Sequence, residues 1–277
     1  MLGRELREKL RSGARVYGTQ LTSTSPAWMR FVETIGLDFV FLDAEHVPRD
    51  REILWWQCQA YAAMNLAPVV RVPFPDPDLA RMAVDAGAHG VIFPYVESVD
   101  QVKALVGAVK YSPLKGERLA SALAHRDLNP ATQAYLERRN PDAVAIINIE
   151  SKAALDRIED LCGVPGLDAV LIGPHDLTIN LGIPEMYRHP DFDAAVRRII
   201  QVARMHRLGA GIHYDFGIDQ EVAWIKEAGA NLIVHSNDVT AMARALREEI
   251  AAIKRAVGDA PAGAEHSPGD GRAVPAI

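Results

Sequence analysis

The chain has 277 residues, 49% hydrophobic and 24% charged, enough for one large domain or two small ones. A formal net charge of −6 argues against a nucleic-acid partner, while leaving room for a local basic pocket that takes a small anion. The two cysteines, Cys58 and Cys162, stand at neither metal-ligand nor redox spacing, and no apolar run approaches the roughly 18 residues of a membrane span. The expectation is a cytoplasmic protein without a membrane partner.

The opening MLGRELREKLRSGARV patterns as an amphipathic, charged helix without the apolar core of a signal peptide. From there one phrase repeats: a short β-branched run, a polar step, then a longer amphipathic segment. Val16–Leu21 precedes a helical pattern at Ala27–Ile35, and Phe39–Leu42 precedes one at Ile53–Met64. Pro68–Val72 is followed by Leu79–Ala86, and Gly90–Pro94 by Val99–Val109. An insertion at 111–142 breaks the rhythm and is expected to be a loop followed by a short helix. The phrase resumes with Val144–Ile149 and Ala153–Leu161, then Ala169–Ile172 and Phe192–Leu208. Ala210–His213 with Gln220–Ala228 and Asn231–Val234 with Ala241–Ala256 complete it.

Glycines 36, 87, 209 and 229 sit where helix C-caps belong. Eight such units over 1–257 predict an α/β fold, a (β/α)8 TIM barrel in a single domain. Residues 258–277, rich in Pro, Gly and Ala, read as a disordered tail. A doubly wound open sheet is the alternative, but no GxGxxG follows the first strand.

In a barrel the C-terminal strand ends form the reactive face. Those ends carry Gln20, Asp43–Ala44–Glu45–His46, Arg71, Glu97, Glu150, His175–Asp176, His213–Tyr214–Asp215 and His235–Ser236–Asn237–Asp238. Glu150 and Asp176 close consecutive strands whose axes lie about 4.8 Å apart. Two hard oxygen ligands with open positions suit Mg²⁺ or Mn²⁺; the alternative is that each carboxylate merely caps the turn that follows it. Arg71, inside APVVRVP, needs an anion: either Asp43 or Asp85 as a structural pair, or a substrate carboxylate or enolate oxygen. His46, within a turn of two carboxylates, reads as an acid/base group. None of the strand runs contains a lysine, so carbonyl chemistry here points to metal assistance and not to a Schiff base.

The segments FVFLDAEHVPRD, APVVRVP, DAGAHGVIFPYVES, KYSPLKGER, INIESKAALDRIEDL and LDAVLIGPHDLTINLG resemble, in register, the HpcH/HpaI family of metal-dependent pyruvate aldolases. The resemblance runs from about Gly18 to Glu249. It implies that Glu150 and Asp176 hold a divalent cation (Mg²⁺, Mn²⁺ or Co²⁺) that binds pyruvate through its keto and carboxylate oxygens. It further implies that Arg71 neutralises the enolate oxygen, and that backbone amides near Gly173 and His175 hold the carboxylate. His46, oriented by Asp43 or by Asp85 of the partner subunit, would move the proton. Asn148 and Gln20 would line the substrate. The implied reaction is reversible cleavage of a 4-hydroxy-2-oxo acid to pyruvate and an aldehyde, in a homohexamer built as a trimer of dimers with exchanged C-terminal helices.

Several positions depart from the family's pattern. Asn148 stands where relatives usually carry glutamine, Gln20 where tryptophan is frequent, Leu119 where a glycine follows Gly-x-Arg, and His175 where alanine is common. His213, Tyr214 and His235 replace small apolar residues. The cation and enolate half follows the family; the acceptor half does not. Oxaloacetate decarboxylation, condensation with an acyl thioester, and keto-acid binding without turnover are therefore the alternative readings.

Overall fold

The computed structural model describes residues 1–124, 128–140 and 142–259. Eight parallel strands close on themselves in sequence order: β1 (Val16–Leu21), β2 (Phe39–Asp43), β3 (Ala67–Arg71), β4 (Gly90–Phe93), β5 (Val144–Ile149), β6 (Ala169–Ile172), β7 (Gly209–Tyr214) and β8 (Leu232–Asn237). All eight predicted runs are strands, with ends shifted by at most three residues. The strands read as near-continuous apolar runs because both faces are covered, by helices outside and by packed side chains within. The inner core holds Val16, Phe39, Phe41, Val69, Ile146 and Leu171, among others.

Thirteen α-helices occur among the described residues: α1 (Gly3–Ser12), α2 (Met29–Val32), α3 (Arg51–Ala63), α4 (Pro77–Asp85), α5 (Val99–Lys110), α6 (Gly116–Leu123), α7 (Pro130–Arg139), α8 (Lys152–Asp156), α9 (Ile158–Cys162), α10 (Pro174–Asn180), α11 (Pro190–Met205), α12 (Ile218–Ala223) and α13 (Asp238–Val257). Helix α1 buries Leu6 and Leu10 among the inner-core residues, so the N-terminal amphipathic pattern serves to stopper the barrel. Helix starts follow side-chain chemistry. Asp50, Asp76 and Ser98 accept hydrogen bonds from the first-turn amides of α3, α4 and α5, groups with no partner inside the helix.

Three local expectations are corrected. The insertion carries two helices: α7, with Pro130 at a first helical position and Asn129 as its cap, is the expected short helix, whereas α6 stands where a loop was expected and packs Leu119 and Leu123 against Gly107 of α5. The pattern at Ala153–Leu161 splits into α8 and α9 at Arg157, whose ψ of 17° leaves the helical range. Gly209 is no cap: it opens β7, and a Cβ there would meet Leu10 Cδ2 at 2.6 Å, so the absent side chain makes room for α1. Gly36 and Gly229 are left-handed C-caps, as expected. The tail from residue 260 onward lies outside the described residues. No helix among the described residues is long and apolar enough to cross a membrane.

Along β1, β2, β3 and β5 the inward positions run apolar at the N-terminal end and give way to polar side chains at or just past the C-terminal end, Gln20, Asp43, Arg71 and Asn148. Asp43 and Arg71 are register partners at the ends of β2 and β3. The Ile149–Ile172 pairing of β5 with β6 sets Glu150 beside Gly173. Register thus delivers the side chains of the barrel mouth.

Candidate active site

Arg71 is the hub. Its Nε and Nη2 donate to Asp43 Oδ1 and Oδ2 at 2.8 and 2.7 Å, a bidentate pair that is almost fully buried. Gln20 Nε2 donates to Asp43 Oδ2 at 2.7 Å, and the Glu45 amide to Oδ1 at 3.0 Å. Burial alone would raise the Asp43 carboxyl, but the Arg71 pair overcomes it and holds the group below the usual carboxylate range. Of the alternatives open for Arg71, the structure contains the ion pair with Asp43. Its Nε also stands 3.1 Å from Glu45 Oε2.

Glu45, in the sequence only one of the two carboxylates within a turn of His46, has a larger part in the site. Burial pushes its carboxyl up to about 6 against the pull of Arg71, and the charges of Asp43 and Asp176 add to the rise. It is also the carboxylate near His46, with Nε2 to Oε2 at 3.6 Å, whereas the oxygens of Asp43 are engaged elsewhere. Only its place just beyond a strand end hinted at this. Asp85 is not brought to the mouth of its own barrel: it ends α4, is exposed, and lies 3.4 Å from Arg139 of α7.

On the opposite wall Glu150 is buried. Its Oε1 accepts from Asn148 Nδ2 at 2.5 Å and its Oε2 from the Tyr95 amide at 2.9 Å. Burial pushes it up to about 7, although Asn148, Arg71 and the Tyr95 amide all pull it down. Tyr95 holds a left-handed φ of 49° to present that amide, a strain no sequence pattern announced. Gly173 closes against Glu150, since a Cβ there would meet Oε1 at 2.2 Å. Asp176 lies half-buried in the first turn of α10, close enough to influence Glu45. His175 points outward, its Nδ1 3.5 Å from the Tyr187 hydroxyl.

These residues fit a divalent cation by their charge. Glu45 and Glu150 lie near one guanidinium that is already committed to Asp43, both are pushed toward protonation, and Asp176 adds its charge beside Glu45. The buried Asn148 Oδ1 has no hydrogen-bond partner, a donor oxygen left over beside the carboxylates. Among the described residues no three His, Cys, Asp or Glu side chains are gathered at ligand geometry. The fit is therefore to a cation held by few protein ligands, with water and substrate completing its shell.

The sequence profile of the HpcH/HpaI aldolase/citrate lyase family matches residues 17–254. The chain belongs to this family. It is a lyase of the aldolase type, on the same barrel that its family members use. Over 257 residues it is 29% identical to the 2-keto-3-deoxy-L-rhamnonate aldolase of Escherichia coli O17:K52:H18 (strain UMN026), covering 92% of this chain and 94% of that protein. The crystal structure of an HpcH/HpaI aldolase/citrate lyase family protein from Burkholderia cenocepacia J2315 superposes with a TM-score of 0.77 at 31% identity, over 91% and 99% of the two chains. That of the citrate synthase SbnG gives 0.78 at 29% identity, over 92% and 99%.

Proposed function

We propose that the enzyme reversibly cleaves a 4-hydroxy-2-oxo acid to pyruvate and an aldehyde, with Glu150 and Asp176 holding Mg²⁺, Mn²⁺ or Co²⁺. The observation that carries this reading is the surplus of negative charge at the mouth, where Glu45 and Glu150 face one guanidinium already bound to Asp43 and Asp176 lies near Glu45. When bound, such a cation supplies Lewis acidity to a keto oxygen, which acidifies the neighbouring carbon.

The chain's own residues do the rest. Arg71, fixed by the Asp43 fork, presents its positive charge where negative charge develops on that oxygen, and its preset orientation lowers the cost of reorganisation. Asn148 holds the Glu150 carboxylate, and Gln20 holds Asp43. The amides near Gly173 and His175 face the keto-acid carboxylate. His46, exposed and 3.6 Å from Glu45, takes the proton of the C4 hydroxyl as the C3–C4 bond breaks, and returns a proton to C3 of the departing pyruvate. Asp85, exposed at the end of α4, is available to orient the His46 of a neighbouring subunit.

Oligomerisation through exchange of α13 is part of this reading, up to the hexamer implied by the resemblance. None of the 20 residues of α13 is buried, and Leu246, Ile250 and Ile253 are exposed. An apolar groove of ≈350 Å³ lined by Trp28, Phe31, Ile35 and Leu37 lies open beside β1 and β8. A second copy of α13 supplies the apolar face this groove lacks. A cytoplasmic setting accords with free, buried Cys58 and Cys162.

The likeness to citrate synthase SbnG favours a second reading, condensation with an acyl thioester, in which the α-carbon of the thioester adds to the keto carbon of a keto acid. The test for enolisation is proton NMR of pyruvate in D₂O with Mg²⁺, Mn²⁺ or Co²⁺. Metal-dependent loss of the methyl signal, abolished by Asp176→Ala and by EDTA, is expected. A folded, metal-loaded enzyme that exchanges nothing refutes the proposal. Product analysis with aldehydes and with acyl thioesters then separates the two readings.

A further inference from the structure

His213 is an inward-facing residue of β7, one strand beyond the β5–β6 wall that carries Glu150 and Gly173. Its ring meets Phe41 edge-on, with centroids 5.8 Å apart at 76°, and the Arg71 guanidinium overlies the same phenyl ring at 5.2 Å. It therefore shares the barrel mouth with the Arg71–Asp43 pair, one strand beyond Gly173.

The hydrogen bond His213 makes fixes its tautomer. Nε2 lies 3.0 Å from the Ser236 carbonyl oxygen. A carbonyl only accepts, so Nε2 carries the hydrogen and donates. That carbonyl is held in place at some cost, because Ser236 adopts a left-handed φ of 54°, unusual for a residue with a side chain. Thr19 Oγ1 donates to the preceding carbonyl, His235 O, at 2.8 Å and lies 3.2 Å from the Ser236 oxygen, where the β1–β8 register shifts. Burial and the neighbouring Arg71 both disfavour the imidazolium. A neutral imidazole that donates from Nε2 keeps a bare lone pair on Nδ1, and among the described residues Nδ1 has no partner.

Resting on the aldolase reading, we infer that His213 Nδ1 accepts a hydrogen bond from a hydroxyl on the aldehyde half of the substrate, making His213 a specificity residue for hydroxylated aldehydes. A lone pair takes a donor, which excludes a carboxylate or phosphate as its partner. The negative charges of Asp43 and Asp215 near the ring act in the same direction. An unhydroxylated aldehyde of the same length leaves the lone pair unpaired, and that difference is the source of selectivity.

Two substitutions separate the roles of the ring nitrogens. His213→Gln keeps a donor near the Ser236 carbonyl but leaves no acceptor at the Nδ1 position, while His213→Asn keeps an acceptor near Nδ1 and loses the tether. The probes are glycolaldehyde and acetaldehyde, which differ by one hydroxyl, each in aldol addition with pyruvate by the metal-loaded enzyme. In His213→Gln, kcat/KM for glycolaldehyde is expected to fall about tenfold (~1.4 kcal/mol), chiefly through KM, with acetaldehyde changed by less than about twofold. His213→Asn retains most of the preference. Pyruvate methyl exchange is expected to be unchanged in both, which also shows that each variant is folded. Equal losses on both aldehydes, or no loss on either while exchange persists, overturn the role of His213 alone. Wild-type enzyme that fails to exchange the pyruvate methyl overturns the aldolase reading and this inference with it.

Discussion

At Glu150 burial and charge oppose each other. Burial pushes its carboxyl from 4.5 up to about 7, beyond what Asn148, Arg71 and the Tyr95 amide pull back. A carboxyl raised on folding binds its proton more tightly in the folded chain. The cation-free protein therefore loses stability as pH rises from about 4.5 through about 7. A divalent cation on the ionised carboxylate removes that loss and competes with the proton. The expected result is a rise in Tm on adding Mn²⁺ that is larger near pH 8 than near pH 5.5, with the difference lost in Glu150→Gln. An equal rise at both pH values in wild type and variant overturns the assignment of Glu150. The need of Arg71 for an anion was legible in the sequence, because an arginine inside an apolar run cannot stay unpaired. Its bond to Asp43 was one of three open options until the β2–β3 register decided it.

At the scale of elements, the turn from β6 into α10 illustrates what a glycine is for. Its φ of −89° suits any residue, so backbone freedom does not explain Gly173. The space does: a Cβ would meet Glu150 Oε1 at 2.2 Å and Cγ at 2.7 Å. Gly173→Ala is expected to leave the far-ultraviolet circular dichroism unchanged while displacing the Glu150 carboxylate. The Mn²⁺-dependent rise in Tm and the pyruvate methyl exchange should both be lost. A variant that keeps both would show that Glu150 moves aside without consequence. The Gly-Pro pair marked the turn in the sequence, but the contact that demands glycine comes from a strand more than 20 residues earlier. In the insertion α7, started by Asn129 and Pro130, is the expected short helix, while the first half reads as loop yet forms α6, which packs Leu119 and Leu123 against Gly107 of α5.

At the scale of the molecule, α13 is an amphipathic helix whose apolar side has no cover among the described residues. Exposed Leu246, Ile250 and Ile253 beside an open apolar groove are the pattern of a surface awaiting a second copy. Charging that face with Leu246→Asp and Ile250→Asp is expected to reduce the mass measured by light scattering from an oligomer to the 30.3 kDa of one chain. An unchanged oligomer mass overturns the exchange.

The alternation of apolar run and amphipathic segment determined the fold by itself. A strand covered on both faces and a helix covered on one impose different periodicities, and both are local. The polar strand ends were legible for the same reason, as were Glu150, Asp176, Arg71 and His46. Partnership was not. Glu45 beside Arg71, the Tyr95 amide on Glu150, and the Ser236 carbonyl that sets the tautomer of His213 arise where loops and strands distant in sequence meet. Hydrogen bonding and desolvation act across space, and only the closed barrel brings those groups within reach of one another.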